Sequence, residues 1–268
     1  MTHAMIRSVL LSLAAGAVAA QAQLDVSVRV EPARAVLHEP VIAHVRIRNH
    51  TAHEIELGDV ESSDRFWMEI EQEPGRPVSS RDTPLLSAAL VVPAGGTITH
   101  RVNLPRHYDL RATGPYTVRA GVAWRGRGFL SSGVYMDVVP GLEMMRAAGP
   151  DPDGSGMRIY RLLTLNRDRG EHLFLRIDDE EGRMCYGTIH LGRLLRLNPP
   201  KLIVDAHGHI TILHQTAPGR YGYHRFNADG QALLQRVYTS ERHGVALELG
   251  EDGHYRVTGA TSSLHDTQ

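Results

Sequence analysis

A single cysteine, Cys185, stands in a chain of 268 residues, so no internal disulfide can form and each domain must be held by its own apolar core. Its natural place is that of a small buried hydrophobe rather than a catalytic thiol. Lysine is almost absent too. Lys201 stands alone against 28 arginines, a skew that follows codon content in GC-rich genomes and points to a bacterial source. Neither sign of charge dominates: 29 Lys and Arg against 30 Asp and Glu leave a net charge of −1, and the basic residues are spread along the chain. That distribution excludes the concentrated positive footprint of a nucleic-acid binder. Ser131-Ser132-Gly133 and Ser262-Ser263 lack the Gly-x-Ser-x-Gly elbow of serine hydrolases. No glycine-rich phosphate loop precedes a helix either. Past the first 23 residues, no apolar run approaches the roughly 20 residues that cross a ~30 Å hydrocarbon core. The nearest, Leu85 to Val92, gives way to Pro93-Ala94-Gly95-Gly96.

What is present begins with an export signal. Arg7 supplies positive charge, Val9 to Ala20 form an apolar run broken only by Ser12 and Gly16, and Ala20-Gln21-Ala22 offers the small-x-small pattern of a cleavage site. The expectation is a signal peptide over 1–22, cleaved near Ala22, and a soluble periplasmic or extracellular product with no membrane association. In such a protein the triplet Asn49-His50-Thr51 carries little weight as a glycosylation acceptor.

Period-2 alternation follows at once. Leu24, Val26, Val28 and Val30 fall on one face of an extended segment, and Asp25, Ser27 and Arg29 on the other. Val41 to Arg48 repeats the pattern. Further strands are predicted at Glu54–Leu57, Phe66–Glu71, Thr97–Asn103, Tyr116–Trp124 and Val134–Val139, separated by Pro/Gly turns that include Arg125-Gly126-Arg127-Gly128. Tyr108-Asp109-Leu110 and Thr113-Gly114-Pro115-Tyr116-Thr117-Val118 resemble the run into the penultimate strand of bacterial immunoglobulin-like and fibronectin III-like domains. The resemblance, over about 24–140, implies a β-sandwich in which the Tyr116 hydroxyl caps nearby backbone. The disulfide of antibody domains is absent. Trp124 reads as packing at the core or its rim.

Residues 141–157 read as a linker, with a short helix possible over Leu142 to Ala148, and 158–260 as a second β region. Its strands are predicted at Arg158–Asn166, Glu171–Asp178, Met184–Leu191, Lys201–Asp205, His209–Gln215, Tyr221–Asn227, Gln231–Tyr238, Val245–Leu249 and Tyr255–Thr258. Four turns end in glycine, at Gly182, Gly208, Gly230 and Gly253, at spacings of 26, 22 and 23. Gly suits the positive φ that tight hairpins demand. The rhythm resembles that of β-propellers, but the length suits an open meander or small barrel better than a closed propeller. Residues 261–268 read as a disordered tail. The fold class expected is thus all-β: an N-terminal immunoglobulin-like sandwich plus a C-terminal β-hairpin region, propeller-like or barrel-like.

One motif invites chemistry. Asp205-Ala206-His207-Gly208-His209 resembles the D-x-H-x-H signature of amidohydrolases, in which two histidines at a strand end bind a divalent metal. That family places the motif ahead of a long (β/α)₈ barrel. Here 59 residues of hairpin pattern follow His209, and His207 occupies a turn position of the repeat. His214 and His224 are the histidines that would complete a zinc site with His207 and His209. Asp151-Pro152-Asp153-Gly154 and Asp229-Gly230 are acidic loops without EF-hand spacing. The residues favour turns and structural histidines, so no catalytic residue, cofactor or metal is assigned, and Asp205, His207, His209 and His214 stand as the metal candidates. The function expected is that of an exported, non-enzymatic binding or assembly protein with an unknown protein or glycan partner, able to form a homo-oligomer. The alternative is a metal-dependent hydrolase built on Asp205, His207 and His209.

Overall fold

In the computed structural model the alternating segments pair edge to edge, and the protein is all-β. The structure describes residues 23–59, 61–72, 75–154, 156–167, 170–241, 244–250, 253 and 255–263; residues 1–22, expected as a signal peptide, and the stretch 264–268 lie outside the described residues. The first half comprises β1 (Leu24–Glu31), β2 (Arg34–Val36), β3 (Ile42–Asn49), β4 (Ile55–Leu57), β5 (Arg65–Gln72), β6 (Leu90–Val92), β7 (Thr97–Asn103), the one-turn helix α1 (Leu104–His107), β8 (Gly114–Trp124), β9 (Arg127–Leu130) and β10 (Val134–Val139). One sheet runs β1-β3-β7 and a second β2-β10-β8-β5, with β9 also paired to β8. β4 and β6 pair with each other.

The inward faces of these sheets meet in a single core that includes Val45, Ile47, Phe66, Val118 and Val122, all fully buried. Each such side chain contributes on the order of 1.5–3 kcal/mol by leaving water. The Tyr116 hydroxyl donates to the Ala112 carbonyl at 2.7 Å, tying the start of β8 to its approaching loop. Trp124 is buried, and the Arg125 guanidinium lies 4.7 Å from its ring centre. Arg125 and Gly126 alone make the turn after β8, at φ 48° and 73°. The expected four-residue turn is corrected, because Arg127 and Gly128 already belong to β9. Asn49 is a structural clamp. Its side chain is buried, its amide donates to the carbonyls of His53, Val92 and Pro93, and its oxygen accepts from the Thr51 N–H and hydroxyl.

The second half comprises β11 (Leu142–Pro150), β12 (Met157–Arg167), β13 (Gly170–Asp179), β14 (Cys185–Arg193), β15 (Lys201–Val204), β16 (Ile210–Ala217), β17 (Arg220–Phe226), β18 (Ala232–Thr239), β19 (Ala246–Leu249), β20 (Tyr255–Thr258) and β21 (Thr261–Ser263). The expected linker 141–157 is corrected, for β11 occupies most of it and pairs antiparallel with β12, Ala147 opposite Tyr160. Met144, Met145 and Ala147 are good helix formers, but the open edge of β12 offers ladder hydrogen bonds that outweigh propensity. The expected tail is corrected at its start, since Thr261–Ser263 add a strand beside β18. Most of the hairpin strands join into two sheets, β11-β12-β13-β14 and β15-β16-β17-β18-β21, and β19 and β20 form a pair of their own. Tyr160, Leu162, Leu175, Ile210, Ile212 and Phe226 fill the space between them. The other face of β16 and β17 presents Leu213, Tyr221 and Tyr223 to Val245, Leu247 and Val257 around the β19-β20 hairpin.

The two halves meet along β2 and the residues that follow it. Val36 packs with Leu163, Leu165 and Phe174 on the outer face of the β12-β13 pair. Beside this apolar contact, Glu39 accepts the Val36 N–H at 2.9 Å, and an Arg167 terminal nitrogen lies 2.8 and 3.0 Å from its two oxygens. Both side chains are almost fully buried, at 8% and 5% exposed for Arg167 and Glu39. The Thr188 hydroxyl donates to the Leu37 carbonyl at 2.8 Å and completes the seam. Removing one member of a buried pair strands the other charge and costs about 3–5 kcal/mol, while an apolar pair of similar volume is close to neutral. Arg167→Met is therefore expected to lower the urea midpoint sharply, and Glu39→Leu/Arg167→Met to recover most of the loss. Single and double variants with equal midpoints would refute that reading of the seam.

Candidate functional site

The Asp-x-His-x-His segment is a tight turn, and the turn consumes its carboxylate. The Asp205 N–H donates to the His209 carbonyl and the Gly208 N–H to the Asp205 carbonyl, both at 3.0 Å, closing the β15-β16 connection with Gly208 at φ 76°. One Asp205 oxygen accepts the backbone N–H groups of His207 and His209 at 2.9 Å each; the other lies 3.1 Å from the His209 ring Nδ1. Burial works against ionisation of Asp205, but the His209 and His207 N–H groups and the His209 ring outweigh it and hold its carboxyl below the ordinary value. Asx-type capping of this kind is what Asp does at turns. The His207 and His209 ring centres are 6.2 Å apart. His214 stands four residues farther along β16 than Ile210, about 13 Å at the ~3.3 Å rise of a strand. The structure thus keeps His207 and His209 together and leaves His214 elsewhere. Among the described residues, no group of three or more His, Cys, Asp or Glu side chains is placed to hold a metal ion.

His214 meets His224 instead. Register sets His214 opposite Gly222 on β17, and two residues on, His224 shares that inward face. The two rings lie 17° from parallel with centres 5.3 Å apart, and His224 lies parallel to Phe226 beyond it. None of the four ring nitrogens makes a well-formed hydrogen bond within the protein, although the Arg193 backbone lies close enough to His214 to favour its protonated form. Burial pushes His214 down to about 3, with His224 and His190 lowering it further and the backbone of Arg193 pulling it slightly up; burial alone takes His224 to about 4. An unpaired buried donor or acceptor costs about 1–3 kcal/mol, so the pair sits where an apolar side chain would be cheaper.

The acidic loops converge on a cation. Asp151 lies 3.1 Å from one terminal nitrogen of Arg158 and Asp229 2.9 Å from the other, which also donates to the Ala228 carbonyl at 2.8 Å. The Tyr186 ring covers the guanidinium at 4.0 Å. The loop oxygens therefore hold an arginine, not a calcium ion. Nothing in the sequence pairs Arg158 with positions 70 residues away; only the register of the two sheets does so. Cys185, expected to be buried, is half-buried and unpaired, and burial pushes its thiol above the ordinary value, away from the reactive thiolate.

A cleft of about 960 Å³ lies at the seam between the halves. Arg29, Arg34 and Glu39 line it from the first half, and Arg167, His172 and His190 from the second. Arg29 is 70% exposed and only loosely paired, to Glu31 at 3.3 Å; Arg34, 49% exposed, lies 3.5 Å from Asp137 and donates to the Asn166 carbonyl across the seam at 3.3 Å. His172 Nδ1 and His190 Nε2 are 2.8 Å apart, one ring donating to the other. Burial, then Arg167, then His172 push His190 down to about 4 and keep it uncharged at neutral pH.

The buried His214–His224 pair generates a pH dependence whose sign follows from linkage. Both folded values lie below the ordinary 6.5, so as pH falls below 6.5 the unfolded chain takes up protons that the folded chain refuses until about pH 4 and 3. Stability is full above that window and falls through it, by on the order of 1–2 kcal/mol per imidazole at pH 5. Melting temperatures from pH 7 to 4.5 in the presence of a chelator should show this fall, reduced in His214→Leu/His224→Phe. An unchanged slope in the double variant would refute the assignment.

No protein family matches the chain, and no curated protein matches its sequence. Among solved structures, the chain is similar to Spo0M, a sporulation control protein from Bacillus subtilis, at 9% identity over 63% of this chain and 90% of that one, with a TM-score of 0.29. A likeness of that size carries no argument about fold or function.

Proposed function

We propose that the chain is an exported, non-enzymatic binding protein that receives a protein or glycan partner in the cleft between its two halves. The observation that carries this reading is the cleft itself. Two exposed guanidinium groups from the first half stand across from paired imidazoles of the second, around an Arg167–Glu39 pair that fixes the walls relative to each other. Guanidinium and imidazole N–H groups donate equally well to peptide carbonyls, carboxylates and sugar hydroxyls. The signal-like segment 1–22 supports export. The hydrogen bond from Tyr116 to the Ala112 carbonyl supports an immunoglobulin-like or fibronectin III-like first domain. A hydrolase built on Asp205, His207 and His209 draws less support, because the turn's own backbone occupies the carboxylate.

Purified mature protein should bind a subset of probes on glycan and peptide arrays, and Arg29→Ala/Arg34→Ala should weaken that binding at least tenfold while staying folded at the assay temperature, since Arg34 gives up one hydrogen bond across the seam. Equal binding by the double variant, or no binding on either array, would sink the proposal.

A further inference from the structure

The inner face of β16 and β17 holds a second site, distinct from the cleft although His190 of the cleft wall lies near enough to act on His214, and independent of the reading just given. We infer that His214 and His224 together bind a soft monovalent metal ion, cuprous copper, through one nitrogen of each ring.

Three observations carry this. The first is convergence. A Cβ on Gly222 would lie 3.4 Å from His214 Nδ1 and 3.1 Å from His224 Nε2, so one nitrogen of each ring borders the same small space. Both rings close over Gly222 because it has no side chain; an alanine would thrust its methyl to 2.9 Å from His214 Cε1. The second is orphaned chemistry. All four ring nitrogens are buried without a hydrogen-bond partner in the protein, and His214 is only 1% exposed. A neutral imidazole always has one nitrogen with a lone pair, and here neither lone pair is engaged. The third is ligand number. Zinc takes three or four protein ligands, and no third His, Cys, Asp or Glu joins this pair among the described residues. Calcium and magnesium require oxygen ligands. A d¹⁰ monovalent ion binds stably to two nitrogen donors on opposite sides, and its single charge is the easiest metal charge to hold in an apolar layer. Phe226, parallel to His224, closes the layer on one side. The Arg193 backbone beside His214 is a polar group able to orient that ring.

Anaerobic titration of the mature protein with Cu(I), in competition with a chromophoric Cu(I) chelator, tests this. The expected result is one tightly held ion per chain with the X-ray absorption edge of two-coordinate nitrogen ligation. Gly222→Ala keeps both imidazoles and is expected to weaken binding at least tenfold, as is His224→Phe; circular dichroism checks that each variant folds. The wild-type protein supplies a reading that needs no variant: on addition of Cu(I), the ¹⁵N imidazole resonances of His214 and His224 should move most, any change at the neighbouring His190 should be much smaller, and those of His172, His207 and His209 should stay in place. No bound copper, copper retained undiminished by folded Gly222→Ala, movement confined to the other four histidines, or zinc bound as tightly as copper would each overturn the inference.

Discussion

The contact between Glu39 and Arg167 sets the relation between the two halves. Both charges lie nearly out of water, where neither is tolerable without the other. Glu39 is further committed to the N–H of Val36, the residue whose side chain fills the apolar half of the seam. A sliding movement of one half over the other would part the charges before it relieved any packing. Hydrophobic contact alone, through Val36, Leu163, Leu165 and Phe174, would allow many orientations; the ion pair selects one. The cleft inherits its geometry from this, since Arg34 and Arg167 each reach across the seam to a backbone carbonyl of the other half, Asn166 and Arg34 in turn.

Strand positions were legible wherever alternation ran for several residues, as in Leu24–Glu31 and Val134–Val139. Turn chemistry was equally legible. The N–H of Gly182, Gly208, Gly230 and Gly253 each bonds the carbonyl three residues back, and every one of these glycines has positive φ. What failed was whatever depends on neighbours. Leu142–Pro150 carries no alternation because one face is exposed and the other only partly covered, so its strand character comes from β12 and not from itself. Arg34–Val36 is three residues long and polar at its start; it is a strand because β10 runs parallel beside it.

The site residues divide the same way. The Asp205 motif was legible as a turn because capping is local, and the distances from Asp205 to the next four residues fix it. The partnership of His214 and His224 was only half legible. Even spacing from Ile210 and from Phe226 assigns both to inward faces of an extended chain. Their meeting depends on the hairpin closing at Pro218 and Gly219 with a register shift after Gln215, which sets His214 across from Gly222. A closure displaced by one residue would have turned one ring outward.

Buried polar groups in this protein are, with few exceptions, answered by partners. Asn49 has three acceptors and two donors, Arg158 two carboxylates and a carbonyl, and Asp178 two arginines, Arg161 and Arg176. Against that background an inward-facing histidine pair with every ring nitrogen unanswered is not what core packing selects, since leucine or phenylalanine would fill the layer without stranded donors. Unanswered atoms elsewhere among the described residues, His100 Nε2, Arg158 Nε, Asn103 Oδ1 and the Tyr160 hydroxyl, are one to a side chain. At positions 214 and 224 the nitrogen is the whole chemical difference from an apolar ring. The glycine between them, placed where any side chain would crowd both, ties the two positions to one shared purpose, and a ligand that accepts two nitrogen lone pairs accounts for all three residues together.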